Sequence, residues 1–448
     1  MRANEAFRTH AEDSLSGYLP RVGIMGGVRG RIVGLLARRR FGRRRAATAP
    51  DALLSLLPES ALVPLQRTGL DPVAELGTLR RHEPVSRLRL PFGLRAWVVT
   101  GYEETRAVLG AGSAFSNDFT NLVGTVGITA DQNPGGLGFT DPPAHTRLRR
   151  MLTPEFTGHR LRRLAPRIEA IVAGQLDEMA SLAESNGAVD LLQTFALPIP
   201  SLTICELLGV PYSDRADFQR LSTTRFDLLG GVTGSLGAIS ESMEYLLRIV
   251  EKQRVEPGDG LLGMLVREHG DDISDHELAG LADGLLTGGL ETTASMLALG
   301  TIVLLQHSES RRAVHDDDAA IDPFVEELLR YLTVVQVAFP RFAREETTIG
   351  GQTIAKGDIV LCSLSGANRD GDGLDGFRPG RPSRPHLAFG YGLHRCIGAE
   401  LARMELRTAY PALIRRFPEI RLAIDPADLS YRKLSFVFGV DALPITLH

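Results

Sequence analysis

The segment from Ser274 to His307 limits the fold of this chain more than any other, because it carries one unbroken helical pattern. Ser274-Asp275-His276-Glu277 has the capping-box form, in which a hydroxyl and a carboxylate satisfy free N–H groups of the first turn. From that start the pattern predicts a helix reaching about His307, on the order of 50 Å long at ~1.5 Å per residue. Such a helix crosses a whole domain. It also carries a defect, since the adjacent Gly288 and Gly289 cost roughly 2 kcal/mol relative to alanine. Two readings offset that loss. The glycine pair lets another helix pack closely, or it opens a groove in which a flat cofactor and a small ligand approach the backbone. Glu291 and Thr292 are then either a solvated glutamate and its neighbour, or an acid and an alcohol that manage protons beside the groove.

Periodicity predicts further helices over 165–182, 241–252 and 323–332, the last with Asp322 as cap before Pro323. Val85 to Leu90 alternates with period two, and Ala96 to Thr100 follows the turn signal Pro91-Phe92-Gly93, so the pair reads as a hairpin. Strands return around Ile354, over 359–361 and over 436–447. The fold class is mainly α with minor β. No low-complexity linker or internal repeat divides the chain, so residues 51–448 read as one large domain. Cys205, Cys362 and Cys396 are widely spaced and odd in number, which indicates a reducing, cytoplasmic setting. No apolar run approaches the ~20 residues needed to span a bilayer.

The formal net charge of -4 hides a basic leader over 1–50. No acidic residue lies between Asp13 and Asp51, while arginines stand at 29, 31, 38, 39, 40, 43, 44 and 45. With Ile32, Val33, Leu35, Leu36 and Phe41, residues 28–45 form either an amphipathic helix on an anionic membrane or a solvated tail. A single basic arm without a reading module argues against a nucleic-acid role.

The run Phe389-Gly390-Tyr391-Gly392-Leu393-His394-Arg395-Cys396-Ile397-Gly398 places a thiol where a loop of small residues enters an apolar helix. Its glycines allow sharp bends and close approach to a flat partner, and the N–H groups at the helix start favour a negative sulfur. Cys396 is therefore either an anionic metal ligand or a buried structural cysteine, since one thiol defines no tetrahedral site. The order Phe-Gly-x-Gly-x-His-x-Cys-x-Gly closely resembles the haem-ligand loop of the cytochrome P450 family, the haem-thiolate monooxygenases. Other motifs follow in the right order. The run Thr287 to Thr293 resembles the family's oxygen-activation segment, and Asp141 to Arg150 is very similar to its propionate-binding helix. On that helix His145 and Arg149 share a face suited to carboxylates, while Arg147 and Arg150 lie off it in solvent. Glu327, Arg330 and Arg381 match the family's buried ion-pair motif, and Arg341 and His394 match propionate-holding positions.

The resemblance covers roughly residues 70–448. It departs at the shortened, proline-free loop 371–376 and in the first fifty residues. It implies a cytochrome P450-like domain that binds haem b (iron protoporphyrin IX) with Cys396 as the metal ligand. Phe389 would shield the sulfur, Gly288 and Gly398 would allow close approach, and His145, Arg149, Arg341 and His394 would hold the propionates. Glu291 and Thr292 would be the catalytic pair. The reaction implied inserts one atom of O2 into a small apolar organic substrate, with electrons from a ferredoxin and ferredoxin reductase. Competing readings are a peroxide-driven or non-oxygenating haem-thiolate enzyme and a haem-dependent binding or sensor protein. By position, Leu286, Leu290, Val334, Val335, Val337 and Phe438 are expected to line the pocket. The residues from Asn117 to Leu137, with Gly124, Gly127, Gly135 and Gly136, are expected to form part of a lid.

Overall fold

The computed structural model describes residues 59–89, 95–122, 136–210, 231–382 and 384–448. The basic leader, the hairpin turn Pro91-Phe92-Gly93 and most of the expected lid lie outside these residues. The helices that frame the site are α1 (Ala144–Leu152), α2 (Ala165–Asn186), α3 (Pro198–Leu208) and α4 (Gly231–Val255). They are joined by α5 (Asp275–Gln306), α6 (Ile321–Leu332) and α7 (Ala399–Arg416). Helix α5 is the long segment, and its capping box forms as expected: the Glu277 N–H donates to Ser274 Oγ at 3.3 Å and the Ser274 N–H to Glu277 Oε2 at 3.0 Å.

Around α5 the other helices build one apolar core. Val172 of α2, Ile204 of α3, Leu246 of α4, Leu297 of α5, Leu328 of α6 and Leu406 of α7 all belong to it, each at most 3% exposed. At ~1.5–3 kcal/mol for each fully buried aliphatic side chain, this packing is what holds a helix with a glycine pair in line. By length and composition alone α5 could cross a membrane, with mean hydropathy 1.4, yet 78% of its apolar window is buried inside the protein. It is a core helix.

The β portion is a five-stranded sheet of β1 (Val85–Arg89), β2 (Arg95–Val99), β3 (Phe115–Ser116), β4 (Arg341–Ala343) and β5 (Ile359–Cys362), in the order β1-β2-β5-β4-β3. The expected hairpin is β1 and β2, paired antiparallel with Val85 opposite Val99. Strands β2 and β5 run parallel, with Cys362 beside Val99. A second core under this sheet includes Trp97, Phe115 and Val360, and it fixes β4, which carries Arg341.

Two boundaries differ from expectation. Asp322 does not cap α6, because a preceding 3-10 turn (Asp318–Ala320) feeds directly into Ile321 and leaves Asp322 inside the first turn. The strand expected over 436–447 is confined to Pro444–Thr446. Before it the chain makes isolated bridges, Val437 to Val335 and Val440 to Tyr431, because the Phe438 N–H bonds Val334 O and the Arg432 N–H bonds Gly439 O. That loop presents Arg432 to α5.

Candidate active site

The thiol loop folds through two left-handed glycines, Gly390 at φ 68° and Gly392 at φ 71°. A Cβ on Gly392 would stand 2.4 Å from the Leu109 carbonyl, so only glycine fits there. A 3-10 turn, Gly392–His394, then leads to Cys396, two residues before Gly398 caps α7. The Cys396 N–H returns to the Phe389 carbonyl at 2.9 Å, which closes the loop and holds Phe389 against the cysteine. Cys396 is exposed as a residue although protein closely surrounds its side chain. Burial pushes its thiol up, against the Gly398 N–H and the charges of Arg149, Arg395 and Arg403. The helix start favours the negative sulfur as expected, through the Gly398 N–H, but burial is the larger effect on the thiol. Cys205 and Cys362 are both buried. Burial raises the Cys362 thiol to about 12, with Arg341 opposing.

Four of the expected propionate holders converge. The His145 and His394 rings stand 4.3 Å apart. Both ring nitrogens of His145 are buried without a hydrogen-bond partner. One His394 nitrogen, Nδ1, meets the Leu137 carbonyl at 3.2 Å. Burial lowers both imidazoles to about 4, His145 further by Arg149 and His394 further by His145 and Arg341. Burial likewise lowers the guanidinium of Arg341, whose Nη1 donates to Phe339 O at 2.8 Å. Asp141 lies in the same field, but Asn117 N–H, Ser116 and Arg344 occupy it. A buried donor set with so little acceptor capacity fits the carboxylates of a haem. Among the described residues, no three His, Cys, Asp or Glu side chains cluster as a protein-only metal site. A single thiolate therefore fits a metal whose other ligands come from a macrocycle.

Helix α5 resolves the glycine question by giving each reading one residue. A Cβ on Gly289 would stand 2.7 Å from Cδ1 of Ile204, so Gly289 serves the packing of α3 on α5. At Gly288, and one turn earlier at Gly284, a Cβ would meet nothing within 4 Å, and both glycines are exposed in an otherwise buried stretch. These positions leave open space beside α5. Thr292 extends it by another turn, and its hydroxyl donates to Gly288 O at 2.6 Å. Glu291 does not behave as a wet groove residue. Its side chain is fully buried and ion-paired to Arg432. Nothing local in the sequence marks that pair, whose members lie 141 residues apart.

Other placements also differ from expectation. Leu286, Leu290, Val334 and Phe438 are buried in the main core. Arg147 is only partly exposed and pairs with Glu277, whereas Arg150 is exposed. A residue missed in the sequence is Phe339, 48% exposed, with its ring 4.7 Å from that of Phe139 and two positions before Arg341.

The brace behind the loop matches the sequence reading. Arg330 uses all five N–H donors, two on Glu327 at 2.8 Å and the others on the carbonyls of Asn368, Leu374 and Gly376. Arg381 Nε reaches Glu327 Oε1 at 3.0 Å, and the Arg378 N–H reaches it at 2.8 Å. The shortened loop 371–376 thus wraps its carbonyls around three guanidinium groups, those of Arg330, Arg369 and Arg381, which needs no proline.

Comparison with known proteins places this geometry among its relatives. The family model described as Cytochrome P450 matches residues 79–255 and 238–426. The chain is 38% identical over 398 residues to Cytochrome P450-SU2 of Streptomyces griseolus, covering 87% of this chain and 97% of that protein. Its fold is similar to that of OxyE, a cytochrome P450 involved in teicoplanin biosynthesis, with TM-score 0.76 and 38% identity over 87% of this chain and 99% of that one. It is also similar to the mycinamicin VIII C21 methyl hydroxylase of Micromonospora griseorubida, solved with mycinamicin VIII. That likeness has TM-score 0.80 and 34% identity over 85% of this chain and 98% of that one.

Proposed function

The chain belongs to the cytochrome P450 family, and from that premise we propose that it oxygenates an apolar organic molecule, with Cys396 as the residue that would ligate the haem iron and electrons from a ferredoxin and its reductase. It is a haem-binding monooxygenase. Haem, when bound, supplies the activation of dioxygen, which a thiolate ligand promotes by donating electron density. The protein's own residues do the rest. His145, Arg149, Arg341 and His394 would hold the propionates, Phe389 would keep water from the sulfur, and Gly288 with Gly284 would leave room for the group beside α5. The Thr292 hydroxyl holds a proton at the groove, and Glu291 supplies protons to it when its pair with Arg432 opens.

The observation that carries this reading is the meeting of buried, unpartnered His145 with His394, beside the arginine whose field reaches Cys396. The half-exposed Phe339 against Phe139 supports an apolar substrate, as does a relative whose named substrate is a mycinamicin. A reducing cytoplasm suits three cysteines that form no disulfide. The test is the carbon monoxide difference spectrum of the reduced protein and its Cys396→Ser variant, followed by product analysis with a ferredoxin chain. The wild type is expected to give the thiolate band and an oxygenated product, and the variant neither. A variant that kept the band would move the ligand to another cysteine.

A further inference from the structure

Behind Phe389 lies a second brace that the oxygenation chemistry leaves unused. His386 Nδ1 accepts the Ala388 N–H at 3.2 Å, which puts the ring proton on Nε2, and Nε2 donates to Glu326 Oε2 at 3.2 Å. Glu326 in turn takes the fork of Arg403, Nε to Oε1 at 2.5 Å and Nη2 to Oε2 at 2.9 Å, while Arg403 Nη1 donates to Glu400 Oε1 at 2.9 Å. So held, the guanidinium carbon stands 4.7 Å from the centre of the Phe389 ring. Phe389 is the residue whose carbonyl receives the Cys396 N–H. Only 11% of the Arg403 side chain is exposed, against 35% of Glu326. The cation is therefore buried on the ring and its counter-charge lies nearer solvent.

Resting on the reading of Cys396 as ligand, we infer that Arg403 is a positioning residue that clamps Phe389 over the sulfur, and that Arg403 and Glu326 set the haem potential from opposite sides. The electrostatic reason is direct. Reduction adds one electron to the metal and thiolate, so a cation beside Phe389 favours the reduced state and an anion beyond it opposes that effect. Screening is weak at Arg403, whose side chain is largely withdrawn from water, and stronger at the more exposed Glu326. A planar fork that binds a carboxylate with two N–H groups and stacks its face on a ring is a task for arginine, which lysine performs only in part. His386 makes the arrangement single-valued, since its backbone donor permits one tautomer and that tautomer orients Glu326.

The experiment uses the haem-loaded full chain and compares Arg403→Met, Arg403→Lys and Glu326→Gln with wild type. Midpoint potential and the carbon monoxide band of the reduced protein are measured. Arg403→Met is expected to lower the potential, Glu326→Gln to raise it, and Arg403→Lys to recover part of the loss, all with the thiolate band retained. A merely structural pair would shift both single variants in the same direction or not at all, and that result overturns the inference while leaving Cys396 as ligand. If Arg403→Met takes up no haem, the sign for Glu326→Gln decides alone. A wild-type protein without the thiolate band overturns this inference and the ligand reading together.

Discussion

Thr292 and Glu291 are neighbours in sequence with opposite surroundings, and that contrast separates what their loss should do. The hydroxyl sits at the open face of α5, bonded only to the helix's own Gly288 carbonyl among the contacts described, so its removal strands no buried group. Thr292→Ala should therefore keep its stability and its haem, while product formed per electron consumed falls severalfold and hydrogen peroxide rises. An unchanged ratio would remove Thr292 from proton delivery. Glu291 is fully buried against Arg432, itself 15% exposed, so Glu291→Ala leaves a mostly buried cation short of its counter-charge. The expected cost is on the order of 3 kcal/mol in denaturant unfolding, besides any loss of turnover. Cys396, His145, Arg149, Arg341, His394 and Thr292 could be proposed from the sequence because each stands in a short local pattern that resembles the family's. Arg432 and Phe339 were not. Their partners come from other elements, and no spacing rule reports a contact made across the core.

At the scale of an element, α5 shows why composition alone left its glycines ambiguous. Propensity says only that Gly288-Gly289 is costly in a helix, and the neighbouring elements decide what each glycine does. Gly289 faces Ile204 of α3 and Gly288 faces open space. Leucine at these two positions should therefore have opposite effects. Gly289→Leu forces a side chain into a packed contact and should destabilise the apoprotein by roughly 1–3 kcal/mol. Gly288→Leu meets no atom at its Cβ and should leave the apoprotein as stable or more so, by up to ~1 kcal/mol from helix propensity, while the added side chain occupies the space proposed for haem. Circular dichroism melting of the apoproteins and the ratio of Soret to protein absorbance after haem loading make the comparison. Gly288→Leu with normal haem content would show that this face of α5 does not receive the cofactor. The capping box at Ser274 was readable to the residue because it is chemically complete within four positions, whereas the start of α6 was misread because a preceding turn supplied the entry that Asp322 was expected to provide.

The stability of the whole molecule carries a pH dependence that no motif announced. Glu405 on α7 is buried within the helical core, its Oε1 has no hydrogen-bond partner, and burial raises its carboxyl to about 8, with the Thr203 hydroxyl opposing. In the sequence it is one more acid in a charged helix, and only the packing of α7 among the other helices, α2 and α5 included, withdraws it from water. The sign follows from linkage. The folded protein holds this proton up to about pH 8, while the unfolded chain releases it near the ordinary value of 4.5. The unfolded state thus binds fewer protons between those limits, and stability falls as pH rises through the window and levels off above it. At one pKa unit per ~1.4 kcal/mol, the loss at pH 7 is on the order of 3 kcal/mol relative to acid conditions. Glu405→Gln keeps the shape and removes the titration. It should unfold at higher denaturant than wild type at pH 8, by a margin that shrinks as the pH is lowered toward 5. A variant whose advantage stays constant from pH 5 to pH 8 would mean that Glu405 is already ionised in the folded core, and that a partner or water stabilises its charge there.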